Sequence, residues 1–258
     1  MSENAPLDDA LDRLVEAKTL LVSLDFDGVL APLVDNPDDS RITPAGRAAL
    51  DALNDAPGVT VSLVSGRGLA NLRVVSQADP RWWMVGSHGI EVAGPANGGV
   101  IHVPTATTDD LKAVWADFKA VAEQFPGTWV ETKPWGAALH TRGLDQSVEE
   151  AVHAEARKTI ARYGDQLTTR LGHGIIESSL QSQTKGDGIR ALVGHIAPEA
   201  TLFMGDDVTD EDALAVMGPG DVGIKVGHQE SIARYRIQTI PEVAAFLQTL
   251  ADRRIANS

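Results

Sequence analysis

Two short stretches, Asp25-Phe26-Asp27-Gly28 and Gly205-Asp206-Asp207-Val208-Thr209-Asp210, hold five aspartates between them. If folding brings these together, they cannot all stay ionised without a compensating cation. A hard divalent ion with oxygen ligands meets that need. Magnesium suits it, because it takes one or two carboxylates and keeps waters that a phosphate can replace. Ser65, in Ser65-Gly66-Arg67, offers a hydroxyl donor, and Lys185, in Lys185-Gly186, offers a point charge. A transferring phosphoryl group needs such groups around its oxygens. Each fragment alone has an ordinary reading: Asp-x-Asp is a turn or surface pair, Ser-Gly-Arg is a turn, and Gly-Asp-Asp-x-Thr-Asp is a capped helix start. Their conjunction is what argues for chemistry.

The elements that must position these groups follow from the apolar pattern. Thr19–Leu24 is a nearly unbroken apolar run that reads as a strand buried on both faces of a parallel sheet, and 59–64, 82–85, 201–204 and 222–226 read alike. Amphipathic stretches lie between them. Thr43-Pro44 is an N-cap followed by proline, with Ala48, Leu50 and Leu53 after it, and Pro241 opens a last helix carrying Val243, Phe246, Leu247 and Leu250. The alternation predicts an α/β fold with a parallel-sheet core. The aspartate and serine motifs begin where predicted strands end, which is where open parallel sheets bind ligands. The middle of the chain differs. A Gly/Pro/Asn loop at 94–99 precedes a helix face of Leu111, Val114, Trp115, Phe118, Val121 and Phe125. A hairpin of 129–133 and 138–142 around Pro134-Trp135-Gly136, a helix over 148–163 stopped by Gly164, and strands near 166–171 and 175–179 follow. This predicts an inserted α/β module at 105–181 between two parts of the core, 1–104 and 182–258.

The formal net charge of -14 would repel a nucleic-acid backbone, so any phosphate ligand has to be held locally. There is no cysteine, which removes disulfides, thiolate metal sites and cysteine nucleophiles. Residues 1–14 are acidic and lack a long apolar run, so neither a signal peptide nor a membrane contact is expected, and the cytoplasm is the expected location.

The four motifs resemble those of the haloacid dehalogenase superfamily of phosphatases, and the wording is closer still to its trehalose-6-phosphate phosphatase branch. That branch carries Gly-Asp-Asp-x-Thr-Asp-Glu, here 205–211, and His-Gly-x-Glu, here His88-Gly89-Ile90-Glu91. Its inserted cap carries Glu-x-Lys, His-x-Arg and a late glutamate, here Glu131-Thr132-Lys133, His140-Thr141-Arg142 and Glu177. Two departures stand out. Thr141 replaces a frequent tyrosine, and Ser178-Ser179-Leu180 follows Glu177 where relatives place a basic residue and a proline.

The resemblance implies a haloacid dehalogenase-like Rossmannoid core with an inserted cap that closes over the site. It implies a magnesium-dependent phosphatase acting on trehalose 6-phosphate, the last step of trehalose biosynthesis. Asp25 would be the nucleophile, and Asp27 the acid and base. Asp25, the Asp27 backbone carbonyl and Asp206 would bind magnesium, with Asp207 and Asp210 as ligands or outer support. Ser65 and Lys185 would hold the phosphoryl group; Arg67 would touch phosphate, position a loop or form a salt bridge. His88 would fix a loop or meet substrate. Strand alternation puts Glu131 with Lys133 and His140 with Arg142. If Lys133 pairs with His140, all four line one sugar-reading surface, with Glu177 as a further contact. Phosphatases of sucrose phosphate or mannosyl-phosphoglycerate, a phosphosugar mutase and a non-catalytic sugar-phosphate sensor are the rival readings. The expected partner is a small sugar phosphate, with no nucleic acid and the protein a monomer.

Overall fold

The computed structural model describes residues 7–95, 100–102, 108–133, 135–172, 174–180 and 183–257. The chain divides into two compact units, Met1–Val103 with Gln183–Ser258, and Pro104–Ser182. The module limits expected at 104/105 and 181/182 touch residues outside the described set, as does part of the 94–99 loop.

Helix α1 (Leu7–Glu16) leads into β1 (Leu20–Asp25), all six of whose residues are buried. Next come α2 (Pro44–Asp55), β2 (Val59–Val64), α3 (Leu69–Ser76), β3 (Trp83–Gly86), β4 (Glu91–Ala93) and β5 (Val100–His102). Helix α2 starts as expected: the Thr43 hydroxyl accepts from the Gly46 N–H and Pro44 occupies the first turn.

The second unit comprises α4 (Thr108–Ala122), β6 (Trp129–Lys133), β7 (Gly136–His140), α5 (Gln146–Ile160), β8 (Thr168–Gly172) and β9 (Ile175–Ser179). Its sheet runs in the order β6-β7-β9-β8, antiparallel throughout. One face packs Ala137, Leu139 and Ile176 against Val114 and Phe118 of α4 and Val152 and Ala156 of α5. Because one face is buried this way, the register is strongly specified.

The chain returns through α6 (Lys185–Ile196), β10 (Ala200–Gly205), α7 (Glu211–Leu214), β11 (Val222–Val226), β12 (Tyr235–Ile237) and α8 (Ile240–Ala256). The large sheet has the order β12-β11-β10-β1-β2-β3-β4-β5. It is parallel from β12 to β3, and β4 and β5 run antiparallel at one edge. Its two faces are covered by separate apolar clusters, one with Leu50, Leu72 and Leu247 from helices α2, α3 and α8, the other with Ile189 and Leu192 from α6. The chain leaves β1 toward β2 on one side while β10 lies on the other. The carboxyl ends of β1 and β10 therefore flank a topological switch point, where α/β sheets take ligands. No helix among the described residues is long and apolar enough to cross a membrane.

The hairpin register differs from expectation. The Cα partners are Lys133 with Gly136, Glu131 with Ala138 and Trp129 with His140, instead of Lys133 with His140 and Glu131 with Arg142. Pairing starts at Gly136 because that residue approaches the next strand closely: a Cβ there would collide with the Ser178 carbonyl. The indole of Trp115 also donates to the Gly136 carbonyl at 2.6 Å. The strand is thereby complete at His140, and Arg142 falls beyond it. Pro134 lies outside the described residues.

Candidate active site

Parallel pairing aligns Leu24 with Met204 and Asp25 with Val64, so the motifs after β1, β2 and β10 emerge at one edge. Asp25 is the last residue of β1 and is 4% exposed. Lys185, the first residue of α6, is 3% exposed and reaches Asp25 Oδ1 at 3.0 Å and Asp210 Oδ1 at 2.6 Å. Thr184 places it: its hydroxyl and the Asp187 carboxylate form a reciprocal cap at the start of α6. Asp206 comes close to the turn after β1, and that turn needs glycine. Gly28 has φ +82°, and a Cβ on it would collide with the Asp206 carboxylate.

Carboxylate oxygens of Asp25, Asp206 and Asp210 lie within 4.8 Å of one another. Burial pushes the Asp25 carboxyl well above the usual carboxylate range; Lys185 opposes that shift, and Asp210 and Asp206 reinforce it. Burial and the neighbouring Asp210 raise Asp206 as well. Burial by itself would depress Lys185, but Asp25 and Asp210 outweigh it and hold the ammonium charged. Asp206 Oδ1 is buried and has no hydrogen-bond partner among the described residues. A buried acceptor without a donor, beside two further carboxylates, fits a hard divalent cation.

Asp207, expected as a ligand or outer support, is placed differently. It is exposed; the Asp210 N–H donates to the Asp207 carbonyl at 3.3 Å and Asp210 Oδ2 accepts from the Asp207 N–H at 2.9 Å, so the two close a helical turn. Asp210 sits in the cluster and Asp207 outside it. The Asp27 carboxylate, expected as acid and base with only its backbone carbonyl toward the metal, is engaged outside the cluster. Arg67 grips it with two bonds, Nε to Oδ2 at 2.6 Å and Nη2 to Oδ1 at 2.8 Å, and the buried Ser40 hydroxyl donates to Oδ1 at 3.0 Å. Those bonds raise the Arg67 pKa. Arg67 Nη1 meanwhile donates to the Pro37 carbonyl and to Asn71, stitching the loop before α2 to α3. Among the three readings open for Arg67, the structure displays the salt bridge and the loop anchor. Ser40 carries no sequence signal, since a serine thirteen residues from an aspartate is ordinary.

Ser65 is buried after β2, and its hydroxyl accepts from the Arg67 N–H at 3.1 Å. His88 has φ 55° and ψ 33°, the left-handed region that side chains seldom adopt. Its N–H donates to the Ser65 carbonyl, and its ring packs on Gly66, where a Cβ would clash with it. Glu91 of the same motif accepts from the Leu69 N–H at 3.2 Å and so caps α3. These contacts tie the His-Gly-x-Glu turn to the Ser65 loop.

In the small unit, cross-strand partners share a face. Trp129, Glu131, Lys133, His140, Glu177 and Arg170 lie on the face opposite the helices. Lys133 reaches over Gly136 and Ala138 to Glu177 at 2.9 Å, and His140 Nε2 pairs with Glu131 at 3.1 Å. Trp129 stacks flat on His140, ring centres 3.6 Å apart, and is still 55% exposed. Arg170, the Cα partner of Glu177, is exposed. It supplies a cation on the face where the residues after Glu177 supply none. The alternation of 168–172 could have shown that Arg170 and Glu177 share parity, but not that their strands are neighbours. Arg142 lies in the turn beyond β7, lining a hollow of about 580 Å³ with Leu144, Glu149, His153 and Gly174.

Comparison with known proteins accords with this geometry. A curated trehalose-phosphate phosphatase of Mycobacterium ulcerans is 33% identical over 268 residues, covering 96% of this chain and 66% of the relative. The chain thus spans just under two thirds of that relative's length. Among solved structures, a trehalose-6-phosphate phosphatase of Aspergillus fumigatus superposes with TM-score 0.77 at 22% identity, covering 98% of this chain and 99% of that one. A haloacid dehalogenase-like hydrolase of B. subtilis superposes with TM-score 0.60 at 18% identity, over 88% of this chain and 98% of the other. At such identities the likeness establishes the haloacid dehalogenase-like fold. The trehalose-phosphatase family model matches residues 23–240, from within β1 to the start of α8 and through every motif described above, so the chain belongs to the trehalose-phosphatase family.

Proposed function

We propose that this protein hydrolyses trehalose 6-phosphate to trehalose and inorganic phosphate through an aspartyl-phosphate on Asp25, with magnesium as its cation. The observation that carries the reading is the buried Asp25 carboxylate at the end of β1, held by Lys185 and set against Asp206 and Asp210. Family membership and the name of the mycobacterial relative support the substrate.

Asp25 attacks phosphorus, and the bond from phosphorus to the sugar oxygen breaks. Asp27 gives that oxygen a proton, then takes one from the water that opens the acyl phosphate. The covalent relay splits one hard displacement into two easier ones. Arg67 and Ser40 occupy both oxygens of Asp27, so proton delivery requires Asp27 to exchange one of these partners. Ser65 and Lys185 grip the phosphoryl oxygens. Asp25, Asp206 and Asp210 would hold the metal, which when bound neutralises charge on the phosphate and on the carboxylates. His88 acts by fixing the Ser65 loop. Sugar reading falls to the open face of the small sheet, where Glu131, Lys133, His140 and Glu177 present alternating donors and acceptors, with Arg142 in the adjoining turn.

The test is phosphate release from a panel of sugar phosphates, with and without magnesium. Trehalose 6-phosphate is expected to be hydrolysed best, and only with the metal. Preference for sucrose phosphate would move the substrate; tight binding without release from any sugar phosphate would make the protein a sensor.

A further inference from the structure

Lys225 lies in β11 beside the end of β10, its Cα paired with that of Gly205, and it is 1% exposed. A polar group so deeply buried needs partners that replace the water it has lost. Lys225 Nζ donates to the Asp207 carbonyl at 3.0 Å and to Glu211 Oε1 at 3.2 Å. The other Glu211 oxygen accepts from the Ser231 hydroxyl at 3.1 Å and from the Ile232 N–H at 2.9 Å. Lysine, glutamate and the 231–232 loop thus form one clamp on the acidic loop, buried at Lys225 and partly open to solvent at Glu211 and the 231–232 loop.

The clamp acts on backbone. The Asp207 carbonyl is bonded by Lys225 and by the Asp210 N–H, and the Asp207 N–H is bonded by Asp210 Oδ2. Both peptide groups of Asp207 are thereby pinned, one of them by the Asp210 carboxylate itself, which restrains the backbone that carries Asp206 and Asp210. Lys185 meets the same loop from the front, through carboxylates. The two buried lysines therefore have separate tasks: one neutralises the cluster, and the other shapes the backbone that carries it.

We infer that Lys225, together with Glu211, is a positioning residue that holds the 205–210 loop in the shape in which Asp206 and Asp210 bind a divalent cation. This rests on the cation reading of the Asp25, Asp206 and Asp210 cluster. Groups that orient metal ligands from behind are worth about ten- to a hundredfold in metal affinity.

The experiment is a calorimetric titration of magnesium into the folded wild type, Lys225→Met and Glu211→Gln. It is paired with the magnesium dependence of aryl phosphate hydrolysis and with melting temperatures. Lys225→Met is expected to raise the magnesium Kd about ten- to a hundredfold, while KM for the aryl phosphate at saturating magnesium stays within about twofold. Glu211→Gln should shift the same Kd less, and the double variant should lose less than the sum of the two. A lowered melting temperature with an unchanged magnesium Kd overturns the inference, since that is what a merely structural ion pair would give. If Lys225→Met fails to fold, Glu211→Gln and Ser231→Ala loosen the clamp from its far end. Unchanged Kd in both would overturn it equally. Absence of magnesium binding by the wild type would instead refute the cation reading.

Discussion

The carboxyl edge of the large sheet and the open face of the small one both carry clustered charge, yet they are built on opposite plans. At the large sheet the charges are buried and bonded to backbone or to one another: Asp25, Lys185 and Asp210 are each under 5% exposed. At the small sheet, Lys133 and Glu177 are about one-third exposed and pair only through their side-chain ends. Buried groups cannot exchange partners cheaply, because each loses its solvation with no water to replace the bond. Pairs this exposed gain little from each other and can be exchanged for other polar partners at small cost. The first plan suits a displacement whose charges must be in place beforehand. The second suits recognition.

The comparison is broken most severely by removing the nucleophile. Asp25→Asn preserves shape and removes the attacking charge. Turnover of trehalose 6-phosphate and of an aryl phosphate should both fall by several orders of magnitude, with no aspartyl-phosphate trapped on rapid quench. Near-normal turnover by the folded variant would sink the covalent mechanism.

Removal of the cation should also silence both substrates. Chelation is expected to abolish activity and magnesium to restore it, with calcium restoring it poorly because it accepts looser geometry and more ligands. The pKa shifts give this a pH signature. Asp25 and Asp206 have raised pKa values in the metal-free protein, so the cation must displace protons that ordinary carboxylates would already have lost. Magnesium affinity should therefore weaken as pH falls, and begin to do so above the pH at which ordinary carboxylates take up protons; affinity flat down to the ordinary carboxylate range would argue for another site.

Asp27→Asn separates the two halves of the chemistry. A sugar alkoxide needs a proton to leave, and an activated aryl oxide does not. The loss should be roughly a hundred- to ten-thousandfold on the sugar phosphate, and much smaller in the burst that forms the aspartyl-phosphate from an activated aryl ester. Equal loss in both would mean that Asp27 serves structure, or Arg67, rather than proton transfer.

The smallest effects belong to the small sheet. Glu131→Ala and Lys133→Ala should lower kcat/KM for trehalose 6-phosphate about ten- to a hundredfold, the worth of one charge-assisted hydrogen bond to substrate. Aryl phosphate hydrolysis should hardly change. Arg142→Ala sharpens the contrast, because Arg142 stands in the turn beyond β7 rather than on the face. A loss matching that of Glu131→Ala would extend the reading surface to that turn. No selective loss in any of the three would leave the face as solvated charge.

Much of this arrangement was legible before folding. The apolar runs at Leu20–Asp25, Val59–Val64 and Val222–Val226 became strands within a residue of expectation, and Thr43-Pro44 opened α2 as its chemistry required. Such signals are local: burial on both faces selects apolar residues in succession, and a cap is satisfied within three residues. The placement of the motifs at strand ends was legible for the same reason. What tertiary structure alone decided were partnerships between residues far apart. Arg67 and Asp27 are 40 residues apart, Lys225 and Asp207 are 18, and β7 ends at His140, which leaves Arg142 in the turn beyond the strand. It also decided which aspartate of the Gly205–Asp210 loop turns inward, since Asp207 and Asp210 are chemically identical and differ only in where the turn points them. Residue type and spacing determine which groups are available near a site, but their mates are chosen by which backbones packing brings together, and packing is a property of the whole chain.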